Sequence, residues 1–240
     1  TLRRFLFERY PFRGQLVHLG PAWAAMMEHH DYPPQVRDSL GEAVVAAALL
    51  SSTLKYDGLL SLQLRGEGPM HLMLVECTDG LAMRAVARFR DVPDTRDLRV
   101  LSGNGTLTVT VESGNAANRY QGIVPLAGAS MSDCLRDYFE HSEQLPTRLW
   151  LRADADSASG LLLQRLPVTA RPQGVTESGA GGVTDEEIED AWRRVQLVAD
   201  TVTAEELARL EDRELLRRLF AEDDVRMFQS APVFFRCRCS

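Results

Sequence analysis

The stretch Leu60-Ser61-Leu62-Gln63-Leu64-Arg65-Gly66-Glu67-Gly68-Pro69-Met70-His71-Leu72-Met73-Leu74 decides the fold class. Leu60, Leu62 and Leu64 alternate with polar Ser61 and Gln63, the period of two expected of a strand with one buried face. Gly66-Glu67-Gly68-Pro69 is a turn, and Leu72 and Leu74 resume the alternation beyond it. Two such runs joined by a short turn pair antiparallel, so the chain is expected to contain an antiparallel sheet.

Working upstream, Asp57-Gly58 breaks the chain before this hairpin, and residues 21–30 and 34–54 carry helical patterns with proline near their starts. The most apolar run, residues 43–50, is far short of the roughly 20 residues a membrane-spanning helix needs, and reads as a buried core helix. Residues 3–10 and 14–19 favour strands. Downstream, strands are predicted at 83–89, 106–111, 120–124, 147–152 and 161–166. A helix over 131–141 is stopped near Pro146 by the ring and missing donor of proline. Residues 1–170 are therefore expected to form one α+β domain of antiparallel sheets with buried helices.

The character changes after residue 170. Residues 171–183 hold Pro172 and a run rich in glycine and serine, and predict a flexible hinge. Residues 184–228 read as a helical linker arm. Thr184 to Glu187 and Thr203 to Glu206 are capping boxes, in which hydroxyl and carboxylate satisfy each other's backbone donors. Ile188, Ala191, Trp192, Val195, Val198 and Val202 fall on one helix face, and Leu207, Leu210, Leu215, Leu216, Leu219 and Phe220 extend the apolar stripe. The chain then returns to extended character through Val225, Met227, Val233 and Phe235, and residues 229–240 end on Cys237-Arg238-Cys239-Ser240.

Composition excludes some functions. With 27 basic and 34 acidic residues, a net charge of −7 and no basic stripe, the chain is not expected to bind nucleic acid. Lys55 is the only lysine, a bias too general to carry a function. The first residues show no long apolar stretch or small-residue cleavage site, so no signal peptide is expected and the compartment is read as the cytosol. Of the four cysteines, Cys77 and Cys134 sit in strand and helix patterns and read as small buried hydrophobes. Cys237 and Cys239 lie in a polar tail. They could donate two thiolates to a tetrahedral zinc or close as a strained, labile disulfide.

No catalytic set assembles. Gly66-Glu67-Gly68-Pro69 lacks the third glycine of a dinucleotide loop, and residues 128–132 lack the last glycine of a nucleophile elbow. His29 and His30 read as capping residues beside Asp31. A small α+β hydrolase using His71 or His141 is one alternative, and a structural adaptor using the helical arm is another.

Several segments resemble the bacterial redox-regulated heat-shock holdase family, the thirty-three-kilodalton heat-shock chaperones. They are Arg13-Gly14-Gln15-Leu16-Val17, His30-Asp31-Tyr32-Pro33, Leu54-Lys55-Tyr56-Asp57-Gly58, Gly66-Glu67-Gly68-Pro69-Met70, Arg119-Tyr120-Gln121-Gly122, Tyr138-Phe139 and Ser142-Glu143-Gln144-Leu145-Pro146-Thr147, with Phe235-Arg236-Cys237-Arg238-Cys239-Ser240 at the end. The resemblance implies an ATP-independent chaperone that is not an enzyme, binds unfolding or oxidatively damaged clients and prevents their aggregation. It implies activation by zinc release and disulfide formation at C-terminal cysteines, and a homodimer made by exchanging linker arms. The family's zinc ligands are a C-x-C pair and a later C-x-x-C pair. Only Cys237 and Cys239 carry over, as metal ligands and redox thiols, so a chain truncated before the second pair is expected. Zinc would belong to the full-length reduced protein and be absent here, with residues 229–240 the start of the zinc domain and the rest of that domain missing. Ile188, Trp192, Val195, Val198, Leu207, Leu215, Leu219 and Phe220 would form the client-binding surface.

Overall fold

The computed structural model describes residues 1–28, 30–54, 56–113, 119–167 and 183–236. The chain opens with a hairpin, β1 (Leu2–Phe7) and β2 (Phe12–His18), then two helices, α1 (Gly20–Met27) and α2 (Pro34–Thr53). The deciding hairpin is β3 (Gly58–Gly66) and β4 (Met70–Thr78), followed by β5 (Ala82–Phe89), a short helix α3 (Leu98–Ser102), β6 (Gly105–Ser113) and β7 (Arg119–Pro125). Helix α4 (Met131–Tyr138) runs into a π-helical turn over Phe139–Glu143, and β8 (Thr147–Ala153) and β9 (Ala158–Arg165) complete this part. Three further helices, α5 (Asp185–Ala199), α6 (Ala204–Arg209) and α7 (Asp212–Leu219), precede two short strands, β10 (Val225–Met227) and β11 (Phe234–Phe235).

The strands form two sheets in the order β10-β1-β2-β9-β8 and β11-β5-β4-β3-β6-β7. All pairings are antiparallel except β11 with β5. The fold is thus mixed α+β and dominated by antiparallel sheet, as the alternation at residues 60–64 predicts.

Helix α2 packs against strands of both sheets. Every residue from Ala43 to Leu50 is completely buried, and the small alanines among them let the two sheets approach. Gly41 belongs to the same logic, because a Cβ there would overlap that of Ala153 on β8.

One detail departs from the sequence reading. In β4 the core-facing residues are Met73, Val75 and Cys77, opposite Leu64, Leu62 and Leu60, and not Leu72 and Leu74. A register shift between Met70 and Leu72 on the β5 side interrupts the alternation after the turn. Leu72 and Leu74 then lie on the other face, half-buried.

Candidate functional site

Strand β9 shows how the second half of the chain is placed. It is buried over residues 158–164, which happens only when both faces of a sheet are covered. Leu162 faces the main core with α2, whereas Leu161 and Leu163 belong to a second apolar cluster on the opposite face. Phe5, Phe7, Phe12 and Leu16 of β1 and β2 complete that receiving face.

What covers it is the arm, α5 to α7. Its helices start as the capping boxes predict, with Thr184 and Thr203 each accepting from the third backbone amide of their helix. Ile188, Trp192, Val195, Leu207, Leu215, Leu219 and Phe220 are all buried in the second cluster, and Val198 is half-buried against it. The structure thus gathers all eight sequence-selected residues on one face. Phe12 lies 5.1 Å from Trp192 and Phe7 meets Phe220 edge-on at 5.1 Å between ring centroids. Each side chain so buried contributes about 1.5–3 kcal/mol of transfer free energy, so the arm cannot leave without exposing a large apolar stripe.

The receiving aromatics were not singled out from sequence. Their signal is present in the alternation of Phe5 with Phe7 and in the uninterrupted Leu161-Leu162-Leu163, but alternation names a buried face without naming its partner.

Polar contacts fix the seam. Arg165 pairs with Glu189, the Nε of Arg148 donates to Gln196 Oε1 at 2.8 Å, and the indole of Trp150 donates to Asp200 Oδ1 at 3.0 Å. At the far end Asp212, the first residue of α7, pairs with Arg3. The Nε2 of His18 stands 3.1 Å from its other oxygen.

Burial alone would raise the Asp212 carboxyl, but the contacts with His18 and Arg3 outweigh it and hold it below its ordinary value. A carboxyl depressed in the folded state stabilises fully above its unfolded value near 3.9, and that contribution is lost as pH falls through the lower folded value. Asp212→Asn is expected to lower stability at neutral pH by about 1–3 kcal/mol, typical of a hydrogen bond to a charged group. It should also shrink the loss of stability below about pH 4. Urea denaturation at a series of pH values checks this, and acid limbs of equal depth in both proteins would contradict it.

Beyond α7 the chain adds a strand to each sheet. β10 pairs with β1, Ala231 bridges Leu2, and β11 runs beside β5. Arg236 then donates its amide to Met83 O at 2.9 Å. Cys237 and Cys239 follow directly and lie outside the described residues, as do His29 and all of the 171–183 hinge except Val183.

The other candidates resolve simply. Cys77 and Cys134 are fully buried. Burial pushes the Cys77 thiol up to about 11 and raises that of Cys134 as well, so neither is primed to react. His30 stacks on Tyr32. His71 leaves its buried Nδ1 without a partner, and His141 contacts a backbone carbonyl. Among the described residues neither forms an ion pair with a carboxylate. Among the described residues no helix is long and apolar enough to cross a membrane, and no group of three or more His, Cys, Asp or Glu side chains is arranged to hold a metal.

Comparison with known proteins agrees with this architecture. The family model described as Hsp33 protein matches residues 1–240. The 33 kDa chaperonin of Ectopseudomonas mendocina is 44% identical over 240 residues, covering 99% of this chain and 77% of its own length. That of Methylobacillus flagellatus is 40% identical, covering 100% of this chain and 77% of its own. The crystal structure of the 33 kDa chaperonin from Thermotoga maritima superposes with a TM-score of 0.77 at 19% identity, over 100% of this chain and 81% of that one, and shows the shared fold. These relatives are named as chaperonins, not enzymes. Matched by the family model from first residue to last, the chain belongs to the Hsp33 family of chaperones.

Proposed function

We propose that the protein is an ATP-independent holdase that keeps its client-binding surface in reserve under the docked arm. The observation that supports this is the burial of the apolar face of α5 to α7 on the outer side of the five-stranded sheet. Release of the arm would expose two apolar surfaces at once, the stripe from Ile188 to Phe220 and the aromatic face that receives it. Exposed patches beyond a few hundred Å² bind other apolar chains. Such capture needs no nucleotide, and the sequence has no phosphate-binding loop to supply one. We place the protein in the cytoplasm, where thiols stay reduced.

The redox half of the reading rests on Cys237 and Cys239. Two thiolates are half of the four ligands of a closed structural zinc site, so Cys237 and Cys239 could supply half of such a site. The pair follows at once the segment that ties β11 to β5, so strain or oxidation at these thiols would be felt at the end of the strap that follows the arm. The 240-residue polypeptide, warmed with a thermally unfolding client enzyme, is expected to suppress its aggregation in proportion to the amount added. Neither ATP nor peroxide should change the result. A requirement for ATP would remove the holdase reading, and a clear peroxide-dependent gain would show that two cysteines are enough for a switch.

Exchange of the arm between two copies would rebuild the same docking face in trans, and we propose a dimer of that kind. Light scattering after size-exclusion chromatography is expected to show twice the chain mass at micromolar concentration; monomer alone would exclude it.

A further inference from the structure

A cavity of about 360 Å³ lies across the seam between the arm and the edge of the five-stranded sheet. One wall is built by α4 and β8, with Arg136, Arg148 and Trp150, and the other by α5, with Arg193 and Leu197. Its two carboxylates are already engaged. Asp200 accepts the Trp150 indole at 3.0 Å, and Asp133 closes the capping box with Ser130 and pairs with Arg136 at 3.2 Å.

The guanidinium groups are less satisfied. Arg148 uses its Nε on the neutral Gln196 and has no carboxylate partner among the described residues, so its two terminal nitrogens are left with donors to place. Arg193 reaches Asp190 only at 3.7 Å. Trp150 and the exposed Leu197 add apolar surface beside these charges.

We propose that this cavity binds a small organic anion, with a phosphate or carboxylate head on the arginines and an apolar body of about one ring against Trp150 and Leu197. The planar fork of arginine matches both oxyanions. A volume near the bottom of the usual range of about 300–1,000 Å³ for ligand sites accommodates a ring together with its head group. Because one wall is the arm, the ligand binds only when the arm is docked. At a hundred times its Kd it would therefore reduce the released population about a hundredfold. This consequence for client protection rests on the docked-arm reading; the binding itself does not.

Calorimetric titration of the 240-residue chain with phenyl phosphate and with benzoate, at fixed ionic strength, separates the two head groups. Inorganic phosphate and acetate serve as probes without the apolar body. Saturable one-site binding of a ring-bearing anion is expected, at least about tenfold tighter than its bare head group, and weakened about tenfold or more by Arg148→Gln, as for a lost charge-assisted hydrogen bond. Arg193→Gln, on the exposed side of α5, gives the same test should Arg148→Gln fail to fold. Bound ligand should also slow amide hydrogen exchange in α5. Absence of saturable binding, or binding unchanged in the variants, would overturn the site. Binding that leaves α5 exchange unaltered would overturn its link to the arm. Client protection by the released arm would stand in either case.

Discussion

Val195→Asp is expected to turn the protein into a chaperone that is active without heating. Val195 is completely buried on the face of α5 that meets the sheet, and a carboxylate placed there would have no partner. Burying an unpaired charge costs several kcal/mol, more than one helix contact returns, so the arm would leave the sheet while the core around α2 stays intact. The expected result is strong binding of a hydrophobic dye at room temperature, with aggregation of an unfolding client suppressed at temperatures where the wild-type chain gives little protection. Far-ultraviolet dichroism should change little, because α2 and the sheet faces packed on it form a separate apolar cluster. Ile123→Asp is the matched control: Ile123 is 59% exposed on β7, at the edge of the other sheet, and its replacement should leave dye binding and client protection unchanged. If Val195→Asp exposed the arm, as judged by dye binding, without protecting a client, the arm would not be the client surface.

The arm was legible in the sequence as a stripe, and its receiving surface was not, for a physical reason. Helical spacing declares that Ile188, Trp192 and Val195 must be covered, but the covering residues Phe5, Phe12 and Leu161 come from strands far away in the chain, and no local pattern records that distance. The same holds for β10 and β11: their extended character is visible in Val225, Met227 and Phe235, while their pairing with β1 and β5 is not. The misread face of β4 has a different cause. Leu72, Met73, Leu74 and Val75 are all apolar, so a one-residue register shift beside Met70 leaves no mark in the alternation. Helix α3 went unread because five residues behind the Asp97 cap are too few to show a period. The glycines of the family-like segments do have local explanations once the fold is known. A Cβ at Gly66 would run into the carbonyl of Ser102, one at Gly122 would press on the Tyr138 ring, and one at Gly14 would overlap the ring of Phe5.

Gly14 leads to the second large effect, because its neighbour Phe5 belongs to the docking face. The two residues are directly opposed across β1 and β2. The Phe5 ring lies over the bare backbone of Gly14, completely buried, with Phe7 at 6.0 Å and Phe220 of the arm at 6.2 Å. Gly14→Val fills the space under that ring and drives it toward Phe220, so overpacking of about 1–3 kcal/mol falls on the seam. The thermal midpoint is expected to drop by roughly 2–4 °C per kcal/mol for a chain of this size, with dye binding rising before the main transition as the arm loosens first. Phe5→Ala alone should cost about 3–5 kcal/mol through the cavity it leaves. Combined with Gly14→Val it should cost less than the sum by about 1–3 kcal/mol, since the valine then occupies space the ring has vacated. Gly41→Ala provides the contrast: it crowds Ala153 between α2 and β8, in the main core, and should lower the midpoint without early dye binding. Additive costs for Phe5→Ala and Gly14→Val would mean that the ring does not rest on the glycine, and the arm's seat on β1 and β2 would have to be redrawn.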